Sequence, residues 1–174
     1  MDKHGNWDGC SGSLIAADYV LTAAHCIHGN MKGYQVGALC PGYKEGSNCN
    51  QHVEFIEIEK KVVHPDYKSN GLHNDFALVK LKRSSSIYPV NIDNGSLADH
   101  YVDGKVLWVA GFGLTEEGGK RSRHLKHVDV GYISNHKCMN NYGYSSHEIK
   151  DNMLCAAGQS KDACQGKSIL GNTF

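Results

Sequence analysis

The chain has no surplus charge of either sign. Its 18 lysines and arginines balance 18 aspartates and glutamates, so no global field draws it to nucleic acid or to an anionic membrane surface. It also lacks a long apolar run. Nothing approaches the roughly 18 residues that suggest a spanning helix, and the opening Met1-Asp2-Lys3-His4-Gly5-Asn6-Trp7 carries no apolar core of an export signal. No Cys-x-x-Cys spacing occurs among the 7 cysteines, which argues against a zinc ribbon or a thioredoxin-type site. Heptads, internal repeats and low-complexity tracts are absent too, and helix signals are scarce.

What is present is ordinary globular material. At 174 residues, 40% hydrophobic and 21% charged, the chain can bury a real core as one domain or two small ones. Histidine, at 11 residues, is the one unusual excess. Cysteines without metal spacing imply paired disulfides and an oxidising compartment. Cys40 and Cys49 bracket a loop rich in turn residues and are expected to bridge it.

Apolar residues alternate between turn signals along much of the chain, the pattern of short antiparallel strands. Ser13 to Ile15 and Tyr19 to Thr22 flank an Ala-Asp turn and form a hairpin that ends just before His25. Strands are also predicted at Val53 to Ile58, Val62-Val63, Phe76 to Leu81, Lys105 to Val109 and around Val128, Val130 and Tyr132. The best helix candidate starts at Ser134 as N-cap and runs through Cys138 to Asn141.

Three segments carry chemistry: Leu21-Thr22-Ala23-Ala24-His25-Cys26, Asn74-Asp75-Phe76-Ala77-Leu78 and Lys161-Asp162-Ala163-Cys164-Gln165-Gly166-Lys167-Ser168. A serine hydroxyl attacks a carbonyl only when an imidazole takes its proton, and that imidazole needs a carboxylate to fix its tautomer. In content and order these segments resemble the histidine, aspartate and serine motifs of the trypsin family of serine endopeptidases.

The resemblance implies an all-β fold of two antiparallel six-stranded β-barrels, the second incomplete, with the active site between them. It spans 1–174 as a partial trypsin-like domain: a first barrel over about 1–85, a linker over about 86–100 and an incomplete second barrel over about 101–174. The family's activation segment, first strand, last strands and terminal helix find no counterpart in these residues. By the same resemblance Cys10 pairs with Cys26 and Cys138 with Cys155, while Cys164 is left over.

The implied activity is cleavage of protein or peptide substrates after Arg or Lys by acyl transfer, with no cofactor and no metal. His25 would be the general base, Asp75 its orienter and Ser168 the nucleophile, with the amides of Gly166 and Ser168 as oxyanion hole and Asp162 receiving the substrate cation. Implied further are protein inhibitors as partners, a monomeric state and an extracellular location.

The serine motif departs from the family's Gly-Asp-Ser-Gly-Gly-Pro. Lys167 replaces an aspartate that pairs with the activation terminus in active members, and Ile169 and Leu170 replace two glycines, so the chain as written is expected to be inactive. Ser168 is then either the nucleophile or a coincidental serine beyond a break at Gly166. Two functional readings stay open: a trypsin-type endopeptidase, and a non-catalytic homologue that uses the same surface to bind proteins.

Other motifs carry less. Gly166-Lys167-Ser168 ends like a phosphate-binding loop but lacks the earlier glycine, since Lys161 stands there. His124 and His127 have ligand spacing only on a helix, and the pattern around them is that of a strand. Glu45 alone is too little for calcium, which takes about 6–8 oxygen ligands. Asn94-Gly95-Ser96 is both an N-glycosylation sequon and a turn signal.

Overall fold

A computed structural model describes residues 7, 9–40, 49, 52–70, 73–96, 100–114 and 119–158. Among them are eight strands in two antiparallel sheets and one α-helix, the all-β class expected.

In the first sheet, β1 (Gly12–Ala16) and β2 (Tyr19–Thr22) form a hairpin around Ala17 and Asp18. The sheet continues through β5 (Ala77–Leu81) and β4 (Glu54–Val63) to β3 (Gly33–Val36), in the order β1-β2-β5-β4-β3. Period-two burial sets which side faces inward. Val20 and Thr22 of β2 and Ala77, Val79 and Leu81 of β5 are buried, while Tyr19 and Leu78 are exposed. The larger apolar residues among them, Val20, Val79 and Leu81, join Met31, Tyr34, Val36 and Ile56 in one core. Gly12 is required at the hairpin, because a Cβ there would stand 2.5 Å from Val20 Cγ1 and 2.8 Å from the Leu21 carbonyl oxygen.

β4 is what curls this sheet. Its first part, Glu54 to Glu57, pairs with β3, and from Ile58 onward it pairs with β5, with a register irregularity between Ile58 and Lys60. Such an irregularity bends a strand and lets one chain segment serve two directions of the sheet. The predicted pair of strands over 53–63 is therefore a single bent one. β3 has no counterpart among the predicted strands, and five strands rather than six are hydrogen-bonded here among the described residues.

After β5 the chain returns along the outer edge of β1. Ser85 N–H donates to the Ala17 carbonyl at 2.7 Å and Val90 N–H to the Leu14 carbonyl at 2.8 Å, and Ile87 packs against the core. Glu54 anchors this return: its carboxylate accepts from Ser86 N–H at 2.8 Å, from the Ser86 hydroxyl, and from Arg83 Nη1 at 2.6 Å.

The second sheet runs β6 (Val106–Gly111), β7 (Lys126–Ile133), β8 (Cys155–Ala157) in that order. Between β7 and β8 lies α1 (Asn135–Tyr142), whose N-cap Ser134 accepts from Lys137 N–H and whose C-cap Gly143 takes the left-handed conformation, φ 76°. The predicted helix is thus found, one residue longer at its end. β8, of three residues, is a further strand without a predicted counterpart.

The Ser86 donors, followed by Arg83, hold the Glu54 carboxyl down from its usual 4.5 to about 2. A folded-state value below the unfolded one adds stability above about pH 4.5, lost as the pH falls through about 2. Glu54→Gln is expected to lower the thermal midpoint at pH 7 by about 2–4 °C, for a loss of about 1 kcal/mol. Melting curves followed by circular dichroism from pH 7 to pH 2 should show the gap between the two proteins closing over the acid range.

Candidate functional site

Three local features deliver His25. β2 ends at Thr22, whose buried hydroxyl donates to the Ser11 carbonyl at 2.7 Å. The chain then tightens into a 3-10 turn over Ala24–Cys26. Cys26 is joined to Cys10, which fixes the turn to the segment entering β1. Asp75 stands just ahead of β5. Because Thr22 lies opposite Ala77 in the β2–β5 register, the end of one strand and the start of the other share one edge of the sheet.

The side chains meet there. Asp75 Oδ1 accepts the backbone N–H of His25 at 2.8 Å, and Asp75 Oδ2 lies 2.6 Å from His25 Nδ1. A carboxylate oxygen can only accept, so Nδ1 carries a proton, and in the neutral imidazole the lone pair is then on Nε2. The side chain of Asp75 is 17% exposed and that of His25 53%. The carboxylate is thus set back while the imidazole stands toward solvent, as a general base must to reach a substrate. The Tyr67 phenol is pushed upward, first by burial and then by the charge of Asp75.

Asp75 is itself held in a tight turn. Phe76 N–H donates to the Asn74 carbonyl at 2.8 Å, closing three residues around Asp75. Asn74 is the one non-glycine residue of positive φ among those described, at 53°. Its Nδ2 donates to the Asp66 carbonyl at 3.1 Å, and its Oδ1 accepts from Asn152 Nδ2 at 2.9 Å. Sequence reasoning does not single out Asn74, Asn152 or Tyr67. An asparagine ahead of a functional aspartate could have flagged the first; nothing local points to the other two.

The predicted disulfide partners lie together as Cys10–Cys26, Cys40–Cys49 and Cys138–Cys155. Among the described residues two groups have metal-like proximity, Cys10 with His25 and Cys26, and Cys40 with Cys49 and His124. In each the two sulfurs are spent on a disulfide and offer no thiolate. His127 lies on β7 with its ring 5.2 Å from that of Trp108, and no described helix is long and apolar enough to cross a membrane. Glu45, Asp162, Cys164, Gly166, Lys167, Ser168, Ile169 and Leu170 lie outside the described residues.

Comparison with known proteins converges on one group. A family model described as Trypsin matches residues 2–168. The chain is 36% identical over 173 residues to venom serine protease Bi-VSP of Bombus ignitus, covering 91% of this chain but 46% of that protein. Trypsin-1 of Astacus astacus is 33% identical over 171 residues, with 91% of this chain and 68% of that protein covered. Among solved structures, one titled "Structure of GrC" superposes with TM-score 0.73 at 27% identity, over 86% of this chain and 63% of its own. The chain therefore spans about half of the Bombus protease and about two thirds of the other two.

Proposed function

The chain belongs to the trypsin family, with its two-barrel all-β fold and a second barrel of three strands among the described residues, and on that premise we propose a serine endopeptidase that cleaves protein or peptide substrates after Arg or Lys. The observation that carries the reading is the double contact between Asp75 and His25. A carboxylate that binds both the ring Nδ1–H and the backbone N–H of one histidine fixes its tautomer and rotamer together. That leaves Nε2 as the proton acceptor for a serine hydroxyl and, once charged, as the donor to the leaving amine.

In this reading Ser168 attacks the scissile carbonyl, the amides of Gly166 and Ser168 receive the oxyanion, and Asp162 pairs with the substrate cation. The domain divides at a linker over about 86–100. No cofactor takes part. Three disulfides among the described residues and relatives named as a venom protease and trypsins support an extracellular protein; a monomeric state and protein inhibitors as partners are proposed from the family resemblance alone.

A second reading, a protein-binding homologue without turnover, is favoured by Lys167, Ile169 and Leu170. A cation stands where the family keeps an anion, and a β-branched side chain stands where it keeps a glycine, changes that on this reading would deny the oxyanion its donors.

The two readings separate in one assay on the activated full-length protein with Arg- and Lys-ester substrates. As found, it should turn over at least about 10²–10³ slower than a version with Lys167→Asp, Ile169→Gly and Leu170→Gly, the cost of a lost oxyanion donor. The restored activity should then fall about 10⁴-fold on Asp75→Asn. Equal, measurable rates before and after restoration would overturn the inactivation; a restored protein without turnover would overturn the protease reading and leave the binding one.

A further inference from the structure

We propose that Asn152 is a positioning residue for the His25–Asp75 pair and acts through Asn74, so that the second half of the chain sets the geometry of a pair lying wholly in the first. The kinetic part of this inference rests on the protease reading above; the structural part does not.

The connection is continuous. Asn135, the first residue of α1, donates from Nδ2 to the Lys150 and Met153 carbonyls, both at 3.0 Å. Those bonds hold the loop ahead of β8, which the Cys138–Cys155 bridge also ties to α1. From this loop Asn152 Nδ2 reaches Asn74 Oδ1, 78 residues away in sequence. Asn74 sits in the left-handed region, φ 53°, which asparagine tolerates better than most side chains but still adopts seldom, and such a residue persists when its surroundings hold it. What holds it is the bond to Asp66 on one side and to Asn152 on the other. The next residue is Asp75, centred in the turn closed by Phe76 N–H and committed through both oxygens to His25. A tilt of the Asn74 peptide therefore moves both contacts to the histidine at once.

Amide chemistry makes the connection directional. Asn74 uses its Nδ2 on a carbonyl and offers Oδ1 to its partner, so position 152 must donate. In Asn152→Asp two acceptors face each other, and flipping the Asn74 amide only transfers the clash to the Asp66 carbonyl. Asn152→Gln keeps a donor.

The test is made on the activated full-length protein carrying the Asp-Ser-Gly-Gly restoration at 167–170. Relative to Asn152, kcat should fall about tenfold in Asn152→Ala and further in Asn152→Asp, with Asn152→Gln recovering part of the loss and KM changing less than kcat. A role in stability alone would not produce that order at unchanged melting temperature. Independently of turnover, the proton NMR resonance of His25 Nδ1–H should broaden or move upfield in the Ala and Asp variants. Wild-type kcat and resonance in both would overturn the proposal. If the parent protein shows no turnover, the protease reading fails on that result, while the resonance still decides the role of Asn152.

A different observation carries a second inference: we infer that Asn94 is an acceptor of N-linked glycan. Asn94-Gly95-Ser96 lies on the exposed return segment. Asn94 Oδ1 accepts Ser96 N–H at 3.1 Å and Gly95 takes φ 92°, a turn that folds the serine back over the asparagine amide. Accepting an N–H at Oδ1 polarises the amide and makes the Nδ2–H more acidic, which eases loss of the proton that must leave for Nδ2 to bond to carbon. Nδ2 would pass one proton to a carboxylate base of the transferring enzyme and bond to the anomeric carbon of a polyprenyl-diphosphate-linked oligosaccharide, whose C–O bond breaks and whose lipid diphosphate leaves as the anion. The full-length protein secreted from eukaryotic cells should lose the mass of one N-glycan on amidase treatment, and Asn94→Gln and Ser96→Ala should each prevent its addition. Secreted protein of unglycosylated mass, or a glycan retained in Asn94→Gln and mapped elsewhere, would overturn the assignment.

Discussion

The register of β2 against β5 is the constraint from which the candidate site follows. With Thr22 opposite Ala77 and Val20 opposite Val79, the histidine turn that follows Thr22 and the aspartate turn that precedes Ala77 meet at one sheet edge. The register is locked because Val20, Thr22, Ala77 and Val79 are all buried on the core side. A slip of β2 by one residue would turn Val20 and Thr22 to solvent and Tyr19 inward, and a slip of β5 would do the same with Ala77 and Val79 against Leu78. Burial in the core thus fixes the meeting of two polar residues that lie outside it. Neither polar contact needs to hold the sheet together, and the free energy of the pair can serve orientation instead of stability.

The two sheets meet through contacts of another kind. Arg121 Nη1 donates to the Gly9 carbonyl at 2.8 Å and lies over the Trp7 ring, which itself packs edge-on against Phe112. Leu125 N–H donates to the Leu39 carbonyl, and Asn152 reaches Asn74. These are single hydrogen bonds and ring contacts, whereas the first sheet has a shared apolar core. Their individual worth is small, about 0.5–1.5 kcal/mol each. Their effect lies in alignment, and two of them tie the second half to segments beside the site. Gly9 precedes Cys10, which is bridged to Cys26 beside His25, and Asn74 precedes Asp75.

The sequence showed most plainly whatever is encoded locally. The β1–β2 hairpin, β5, β6, β7 and the Ser134-capped helix all have alternation or cap signals within a few residues, and each lies within a residue or two of its expected limits. β3 and β8 have no such signal. Gly33-Tyr34-Gln35-Val36 becomes a strand because β4 lies beside it, and Cys155-Ala156-Ala157 because β7 does; tertiary pairing overrides weak propensity in both. The bend in β4 reads as a break in the sequence, since a register irregularity between two partners leaves no trace in the hydropathy of one strand. At the site, His25 and Asp75 are legible because their neighbours form long strings. The left-handed Asn74 and its contact with Asn152 are not, because a hydrogen bond across 78 residues depends on how two sheets dock.

Net charge bears on how such a site would choose its substrates. With 18 residues of each sign, the chain has no overall field to gather cationic peptides, and at physiological ionic strength surface charges beyond about 8 Å are screened. Selection for Arg or Lys must then be made at short range, by a carboxylate that meets the substrate cation within a shaped pocket. Asp75 is unsuited to that role, because its oxygens are committed to His25 and its side chain is only 17% exposed. A trypsin-type preference therefore needs a second, separate carboxylate, and in the serine-motif segment Asp162 is the one acidic residue the sequence supplies. Under the proposed trypsin-type reading, orientation of the base and selection of the substrate would fall to two aspartates, Asp75 fixed by a strand register and Asp162 supplied by the serine-motif segment of the sequence.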